Sequence, residues 1–375
     1  DSKGLRQRNP MTRDLQKRGL PYLCPLSMME AMGKLLHNRV NKDELRKRVR
    51  EDSKPRTTLS FYAYARLEDP HRFRDEFYEG LSMMGVFGRI YVASEGVNAQ
   101  ISLPTDHMDS FRDYLNTIPF LQGIRLNVAV DDDGKSFFTL AIKVREKIVA
   151  DGLNDEEFDV TDRGIHLSAT DFNRLTDQPD TIVVDMRNYY ESEVGHFKDA
   201  ILPPMETFRE GLPMVAEMLK PSRTKNIVMY CTGGIRCEKA SAYMKYMGYP
   251  NVYQLDGGII EYTRQAERQG LPNKFVGKNF VFDERLGERI SEDVIAHCHQ
   301  CGEPSDDHIN CANDACHILF IQCPECRDEY EGCCSIECRD FMRLPADVRK
   351  EERRHRVFNG SRMSKSKPGM LHTEQ

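Results

Sequence analysis

The chain has 375 residues, 30% charged and 39% hydrophobic, with 12 Cys and no Trp. At about 150 residues per domain this length holds two or three domains, and the apolar share is enough to build their cores, which excludes a wholly disordered chain. No apolar run reaches the ~18 residues of a membrane span, and Asp1 to Arg18 is basic without the apolar stretch of a secretory signal, so a cytoplasmic protein with no membrane association is expected.

Charge is unevenly placed. Residues 1–56 carry 15 Lys and Arg against 7 Asp and Glu, and residues 343–375 carry 9 against 4; with the whole chain at −6, residues 57–342 hold −19. Basic ends on an acidic body fit arms that touch a polyanion such as RNA, or tails that serve only solubility.

After a polar arm with one short helix near Lys42 to Arg50, Thr58 to Ala65 is rich in β-formers and reads as a strand. Asp69-Pro70 opens a helix, with Phe73, Phe77, Leu81 and Met84 at helical spacing. Val86 to Ala93 and Ala99 to Leu103 are strands around a Ser94 to Asn98 turn. Met108 to Leu115 is a helix, Ile124 to Val130 a fourth strand, and Phe137 to Val144 follows the Asp131-Asp132-Asp133-Gly134 break. The core order β-α-β-β-α-β is the ferredoxin-like plan. Such a sheet can carry RNA on exposed aromatics, with Phe61, Tyr62 and Tyr64 as candidates, discounted because alternate ones must be core. The polar Ser94 to Gln100 loop is of the sort that faces a partner, though a tight hairpin turn explains Gly96 and Asn98 equally well.

Asp151 to Asp162 reads as an acidic linker. Ser168 or Thr170 caps a helix through Leu175. Thr181 to Asp185 and Asn226 to Tyr230 are short apolar strands of the kind buried on both faces of a parallel sheet. Helices at Met214 to Leu219 and Arg236 to Met247, a strand at Val252 to Leu255 and a helix after Asp256-Gly257-Gly258 complete an α/β alternation.

Cys231 ends the Asn226 to Tyr230 strand, where parallel sheets place their ligand sites. Gly233 and Gly234 let the loop Thr232-Gly233-Gly234-Ile235 curl so that several N–H groups aim at one point, an anion site that lowers the pKa of a Cys at its floor. Arg236 adds a permanent positive charge for anion stabilisation. A reactive nucleophile follows, against the alternative of an inert buried Cys. Cys237 is a candidate redox partner, or a small residue packing in the first helical turn.

Nine of the 12 Cys lie between Cys298 and Cys338. The pattern is Cys298-x2-Cys301, Cys311-x4-Cys316, Cys323-x2-Cys326 and Cys333-Cys334-x3-Cys338. Two-residue spacing lets both thiolates face one tetrahedral Zn²⁺, so one or two structural zinc ions are expected. An iron–sulfur cluster and a redox relay are the alternatives. One arrangement joins the first pair to the third and the second to the fourth, with His297, His299, His308 and His317 able to replace a thiolate. Spacing does not say which Cys is left over.

These residues resemble a known family. Val183-Val184-Asp185-Met186-Arg187, Glu191 and Gly195-His196-Phe197-Lys198-Asp199-Ala200 resemble a rhodanese signature, and Tyr230-Cys231-x-x-Gly-x-Arg236 resembles the rhodanese active-site loop, closed by Asp256-Gly257-Gly258. In that family the Cys carries sulfur as a persulfide, and Asp185 and Arg187 match structural positions. Four residues between Cys231 and Arg236 favour a sulfur-type pocket over the larger phosphatase one. Further stretches resemble the rhodanese-related tRNA uridine hydroxylases. They are Gly96 to Ser102, Asp131 to Phe137, Val149 to Gly152, Met229 to Ser241 and Gly277 to Arg285, and the similarity runs from about Met32 to Cys338.

The resemblance implies an α/β and α+β multidomain chain with a ferredoxin-like domain (57–150), a rhodanese domain (162–273) and a Cys-rich zinc-type module (274–342). Charge adds a basic arm (1–56), whose residues 1–31 depart from the family as an extension, and a basic tail (343–375) expected to be disordered. It implies an oxidoreductase that hydroxylates C5 of the wobble uridine, position 34, in the tRNA anticodon loop, giving 5-hydroxyuridine with molecular oxygen as co-substrate. The alternative is a sulfurtransferase that passes persulfide sulfur to a small acceptor, a protein or tRNA. No flavin, haem, nucleotide-cofactor or 2-His-1-carboxylate signature is found, and a non-catalytic RNA-binding adaptor fits poorly with an intact Cys231 and Arg236.

Overall fold

A computed structural model describes residues 41–51, 54–153 and 159–358. The expected basic arm up to residue 40, and the tail beyond residue 358, lie outside the described residues. Helix α1 (Lys42–Glu51) precedes an α+β domain made of β1 (Arg56–Tyr64), α2 (Pro70–Met83), β2 (Phe87–Ala93), β3 (Gly96–Pro104), α3 (Met108–Asn116), β4 (Asn127–Val128) and β5 (Leu140–Val144). The described strands pair in the order β4-β1-β3-β2-β5, antiparallel except for β2 with β5. That is the ferredoxin-like sheet with one added edge strand. Arg56, counted with the arm in the sequence, is already in β1, where it bonds Ser102 and the Gly85 carbonyl.

Alternation along β1 sends Leu59, Phe61 and Ala63 to one face. They pack with Ile90, Val92, Val97, Ala99 and Ile101 against Phe77 and Leu81 of α2 and Phe111 and Leu115 of α3. Asp69 starts α2 by accepting the Arg72 amide at 2.9 Å, with Pro70 at the first helical position. The fourth strand is shorter than the sequence pattern implies. β4 pairs only Leu59 and Ser60, and the chain is then held by Asp132, whose carboxylate accepts the Thr58 amide at 2.6 Å and its hydroxyl at 2.9 Å.

The second domain comprises β6 (Ile165–Leu167), α4 (Ala169–Thr176), β7 (Thr181–Asp185), α5 (Tyr189–Ser192), β8 (Gly195–Phe197), α6 (Phe208–Met218), β9 (Asn226–Tyr230), α7 (Ile235–Tyr246), β10 (Val252–Leu255) and α8 (Gly258–Gln269). Its parallel sheet runs β6-β10-β9-β7. One face packs on α6 and α7 through Leu212, Val215, Ala240 and Met244, the other on α4 and α8 through Phe172, Ile259 and Tyr262. Helix α6 begins well before Met214. Thr207 and Glu210 form a capping box, and Pro213 is accommodated inside the helix instead of marking its start.

The third module follows as β11 (Phe275–Asn279), β12 (Glu288–Arg289), β13 (His308–Asn310), β14 (Leu319–Ile321), α9 (Pro324–Glu329), α10 (Ile336–Arg343) and α11 (Ala346–Glu352). β11 pairs antiparallel with both β8 and β12, tying this module to the second domain. Helix α11 corrects the expectation of a disordered tail from residue 343. Pro345 opens it, Arg349 lies against the Met342 sulfur, and Arg354 and Arg356 pair with Glu351 and Glu352.

The helix-free face of the ferredoxin-like sheet is covered by the protein itself. Tyr62 donates to Glu238 at 2.9 Å and Tyr64 to the Ile235 carbonyl at 3.3 Å, both on α7. Of the three aromatics, Phe61 is core and Tyr64 is held against α7, while Tyr62, also held by α7, lines the cavity described below. The Ser94 to Gln100 segment likewise finds an internal partner: β3 begins at Gly96, and Glu95 meets Lys239 of α7 at 2.6 Å. Lys239 also bonds Asp151, which holds Lys147 at 2.8 Å. Asp151, read as the first linker residue, is therefore a buried link between the domains.

Candidate active site

Cys231 follows β9 directly, and Gly234 caps α7 with φ 97°. That left-handed backbone aims the Gly234 N–H at Cys231 Sγ, 3.2 Å away. The loop is held from behind by α8, whose Ile259 and Ile260 amides bond the Cys231 and Thr232 carbonyls at 3.0 and 3.2 Å. A side chain on Gly258 would meet the Cys231 carbonyl at 2.4 Å, so only glycine lets the two segments approach. From the front, Asn127 Nδ2 donates to the Gly233 carbonyl at 3.3 Å.

Burial alone would raise the Cys231 thiol. The Cys237 thiol, the Arg236 charge and the amides of Arg236 and Cys237 outweigh it and bring the pKa down to about 6. Cys237 is buried beside Cys231, and burial and the neighbouring sulfur push its own thiol far up. It stays protonated and serves as a donor; no disulfide joins the two.

Arg236 lends its charge to the Cys231 thiolate while its guanidinium is bound elsewhere. Its Nη1 and Nη2 are bound to the two oxygens of Glu191 at 2.7 and 2.8 Å, and Nη2 lies 3.4 Å from Thr232 Oγ1. Glu191 is buried and also accepts the Asn188 amide at 3.1 Å. The guanidinium thus braces the loop and favours the thiolate through space, with no terminal nitrogen on the sulfur. Asp185 and Arg187 form a fully buried pair, 2.6 Å apart, behind the site.

Cys231 is wholly buried and is among the residues that border a cavity of about 540 Å³. Three parts of the chain build the cavity. The ferredoxin-like sheet supplies Ser60, Tyr62, Asn98, Gln100 and Asn127, the loop supplies Cys231, Thr232, Gly233, Ile235 and Arg236, and the third module supplies Phe282, Arg285 and Glu288. The sequence singled out the loop, and apart from it named Tyr62 and the Ser94 to Gln100 segment, whose Asn98 and Gln100 line this cavity. Asn127 and Glu288 read there as ordinary polar residues, and nothing in local spacing shows that they meet Cys231's cavity; Gly277 to Arg285 entered only as a stretch of resemblance.

The cysteines gather into two quartets among the described residues. Cys298, Cys301, Cys323 and Cys326 form one, and Cys311, Cys316, Cys334 and Cys338 the other, with all four Sγ of each within 4.8 Å of one another. Cys333 stands outside both. A tetrahedral ion with ~2.3 Å metal–sulfur bonds needs sulfurs roughly 3.8 Å apart. Cys301–Cys323 and Cys316–Cys334 are at 3.6 Å and Cys334–Cys338 at 3.8 Å, so the donor sets fit. Amides of Cys326 and Cys334 point at Cys323 and Cys311 sulfurs at 3.4 Å, as suits thiolate ligands. Of the histidines, His299 bonds Glu193 at 2.9 Å, and neither quartet includes a histidine.

Family models match in the same order as these modules: a UPF0176 acylphosphatase like domain over residues 56–148, a Rhodanese-like domain over 168–265 and a Rhodanase C-terminal model over 276–339. A tRNA uridine(34) hydroxylase of Photorhabdus laumondii is 57% identical over 334 residues, 88% of this chain and 95% of that protein. One of the same name from Yersinia enterocolitica is 57% identical over 340 residues, 90% of this chain and 97% of that protein. A solved rhodanese-like domain from Anabaena overlaps 30% of this chain and 78% of its own, at 18% identity and a TM-score of 0.24. With whole-length identity of this degree, and with rhodanese-type and acylphosphatase-like modules in series, the chain belongs to the tRNA uridine(34) hydroxylase family.

Proposed function

We propose that this protein hydroxylates C5 of uridine 34 in tRNA, with Cys231 as the nucleophile. The observation that carries the reading is the cavity, whose volume is in the range of small-ligand sites and whose wall holds a thiol with a pKa of about 6. An anticodon loop already offers its bases unstacked, so one uracil can enter such a space. The Cys231 thiolate adds to C6, which raises electron density at C5 for attack on an oxygen donor. With molecular oxygen as co-substrate, one atom enters C5 and the other leaves as water at the expense of a two-electron reductant. Should Cys231 act as a persulfide, its outer sulfur lies about 2 Å further into the cavity.

The two quartets hold structural zinc in this reading, fixing β13, β14, α9 and α10 and, through β11 and β12, the third wall of the cavity. Zinc enters no chemical step. A cytoplasmic location accompanies a tRNA substrate; among the described residues no helix is long and apolar enough to cross a membrane.

The test is Cys231→Ser as the only copy in a strain lacking the gene, with tRNA nucleosides read by mass spectrometry. Loss of 5-hydroxyuridine is expected. Its persistence refutes the nucleophile, and a loss of thiouridine instead identifies a sulfurtransferase.

A further inference from the structure

The nucleophile accounts for one wall of the cavity. A second wall carries a carboxyl group that the reading above leaves without a task. Glu288 is wholly buried on β12 and lines the same cavity as Cys231. One of its oxygens is fixed: Oε1 accepts from Arg285 Nη1 at 2.9 Å and from the Val130 amide at 3.3 Å. The other, Oε2, is buried and has no hydrogen-bond partner among the described residues. The Asn279 amide lies close enough to favour the anion without completing a bond. A buried acceptor left open in this way calls for an explanation, and a ligand that brings a proton supplies one.

We propose that Glu288 is the base that takes the C5 proton of the uracil when 5-hydroxyuridine is released, a role that rests on Cys231 adding to C6. In the adduct, C5 bears the new hydroxyl and one hydrogen, and C6 bears the Cys231 sulfur. Glu288 Oε2 takes that hydrogen as a proton. The C5–H electron pair becomes the C5=C6 double bond, the C6–S bond breaks, and its pair returns to Cys231 as thiolate. Nothing is oxidised or reduced in this step, because oxidation is complete once oxygen is on C5.

The surroundings suit the task. Burial pushes the Glu288 carboxyl up, and Asp283 acts in the same sense. Arg285 pulls the other way but is itself tied to Asp283 at 2.6 Å, and the balance rests at about 7. Across the cavity the charged groups are the Cys231 sulfur, Arg89 of β2 and Arg236, the last neutralised by Glu191. A carboxyl poised near neutrality both accepts and gives up a proton readily. A purely structural Glu288 would need only Oε1 for its two bonds, and glutamine supplies the same carbonyl oxygen while being unable to take a proton.

Full-length Glu288→Gln, expressed as the only copy, is the test. Nucleosides are read by mass spectrometry, and the purified protein is run on denaturing gels with and without ribonuclease. 5-Hydroxyuridine should fall by ~100-fold or more. A ribonuclease-sensitive covalent tRNA–protein species should accumulate, and disappear in Cys231→Ser/Glu288→Gln. Near-normal 5-hydroxyuridine overturns the proposal, as does its loss without an adduct. Should Glu288→Gln not fold, Glu288→Asp decides on the same two readouts: intermediate product with some adduct supports the role, while normal product or no adduct overturns it. A wild-type protein that makes no 5-hydroxyuridine removes the hydroxylase reading itself, and Glu288's role with it.

Discussion

Replacing Cys237 with Ala should move the titration of Cys231. The Cys237 thiol is foremost among the groups that lower Cys231 to about 6, and it does so by donating a hydrogen bond to the anion. A hydrogen bond to a charged partner contributes ~1.5–3 kcal/mol. Sulfur is a weak donor, so the lower end applies, which is roughly one pH unit at ~1.4 kcal/mol per unit. The thiol is charged when deprotonated, so losing a donor raises the midpoint, to about 7. At pH 6 the thiolate fraction should drop from about half to about a tenth, while well above pH 9 the two proteins should coincide. Cys237→Ser keeps a donor and should restore the wild-type midpoint. The assay is the pH dependence of alkylation by a small haloacetamide, followed on the Cys231 peptide by mass spectrometry. A wild-type midpoint near the ordinary value of 9.0, or no shift in Cys237→Ala, refutes the electrostatic account of the loop.

Lys239→Met should cost about 3 kcal/mol in urea denaturation. It leaves Asp151 and Glu95 facing each other between the domains with only Lys147 to compensate; a cost below ~1 kcal/mol would show that the buried pair is not what joins them. Elemental analysis of the full-length protein should find about two zinc ions per chain, one fewer in Cys298→Ser or Cys334→Ser, and both retained in Cys333→Ser. Loss of metal in Cys333→Ser would mean that the second quartet is wrongly composed.

Much of the architecture is legible in the sequence because the patterns are local. Thr181–Asp185 and Asn226–Tyr230 are short apolar runs that read as buried parallel strands, and both are strands of the parallel sheet. The Cys231 loop stands out because two glycines and an arginine lie within five residues of a cysteine. The rest of the site is assembled from residues far apart in the chain. Alternation along β1 separates Phe61 from Tyr62 and Tyr64, but says nothing of what covers the polar face, and that face meets α7 and lines the cavity of Cys231. Asn127 and Glu288 sit on two-residue strands too short to show any period. Asp151 looks like linker because its partner, Lys239, is 88 positions away.

The division of the cavity among three modules sets an order for the birth of reactivity. A ribosome makes the first wall, then the Cys231 loop, and only later the strand that bears Glu288. A polypeptide made only as far as α8 therefore has the Cys231 loop but not yet the strand that carries Glu288, and the cavity is closed only in the last quarter of translation.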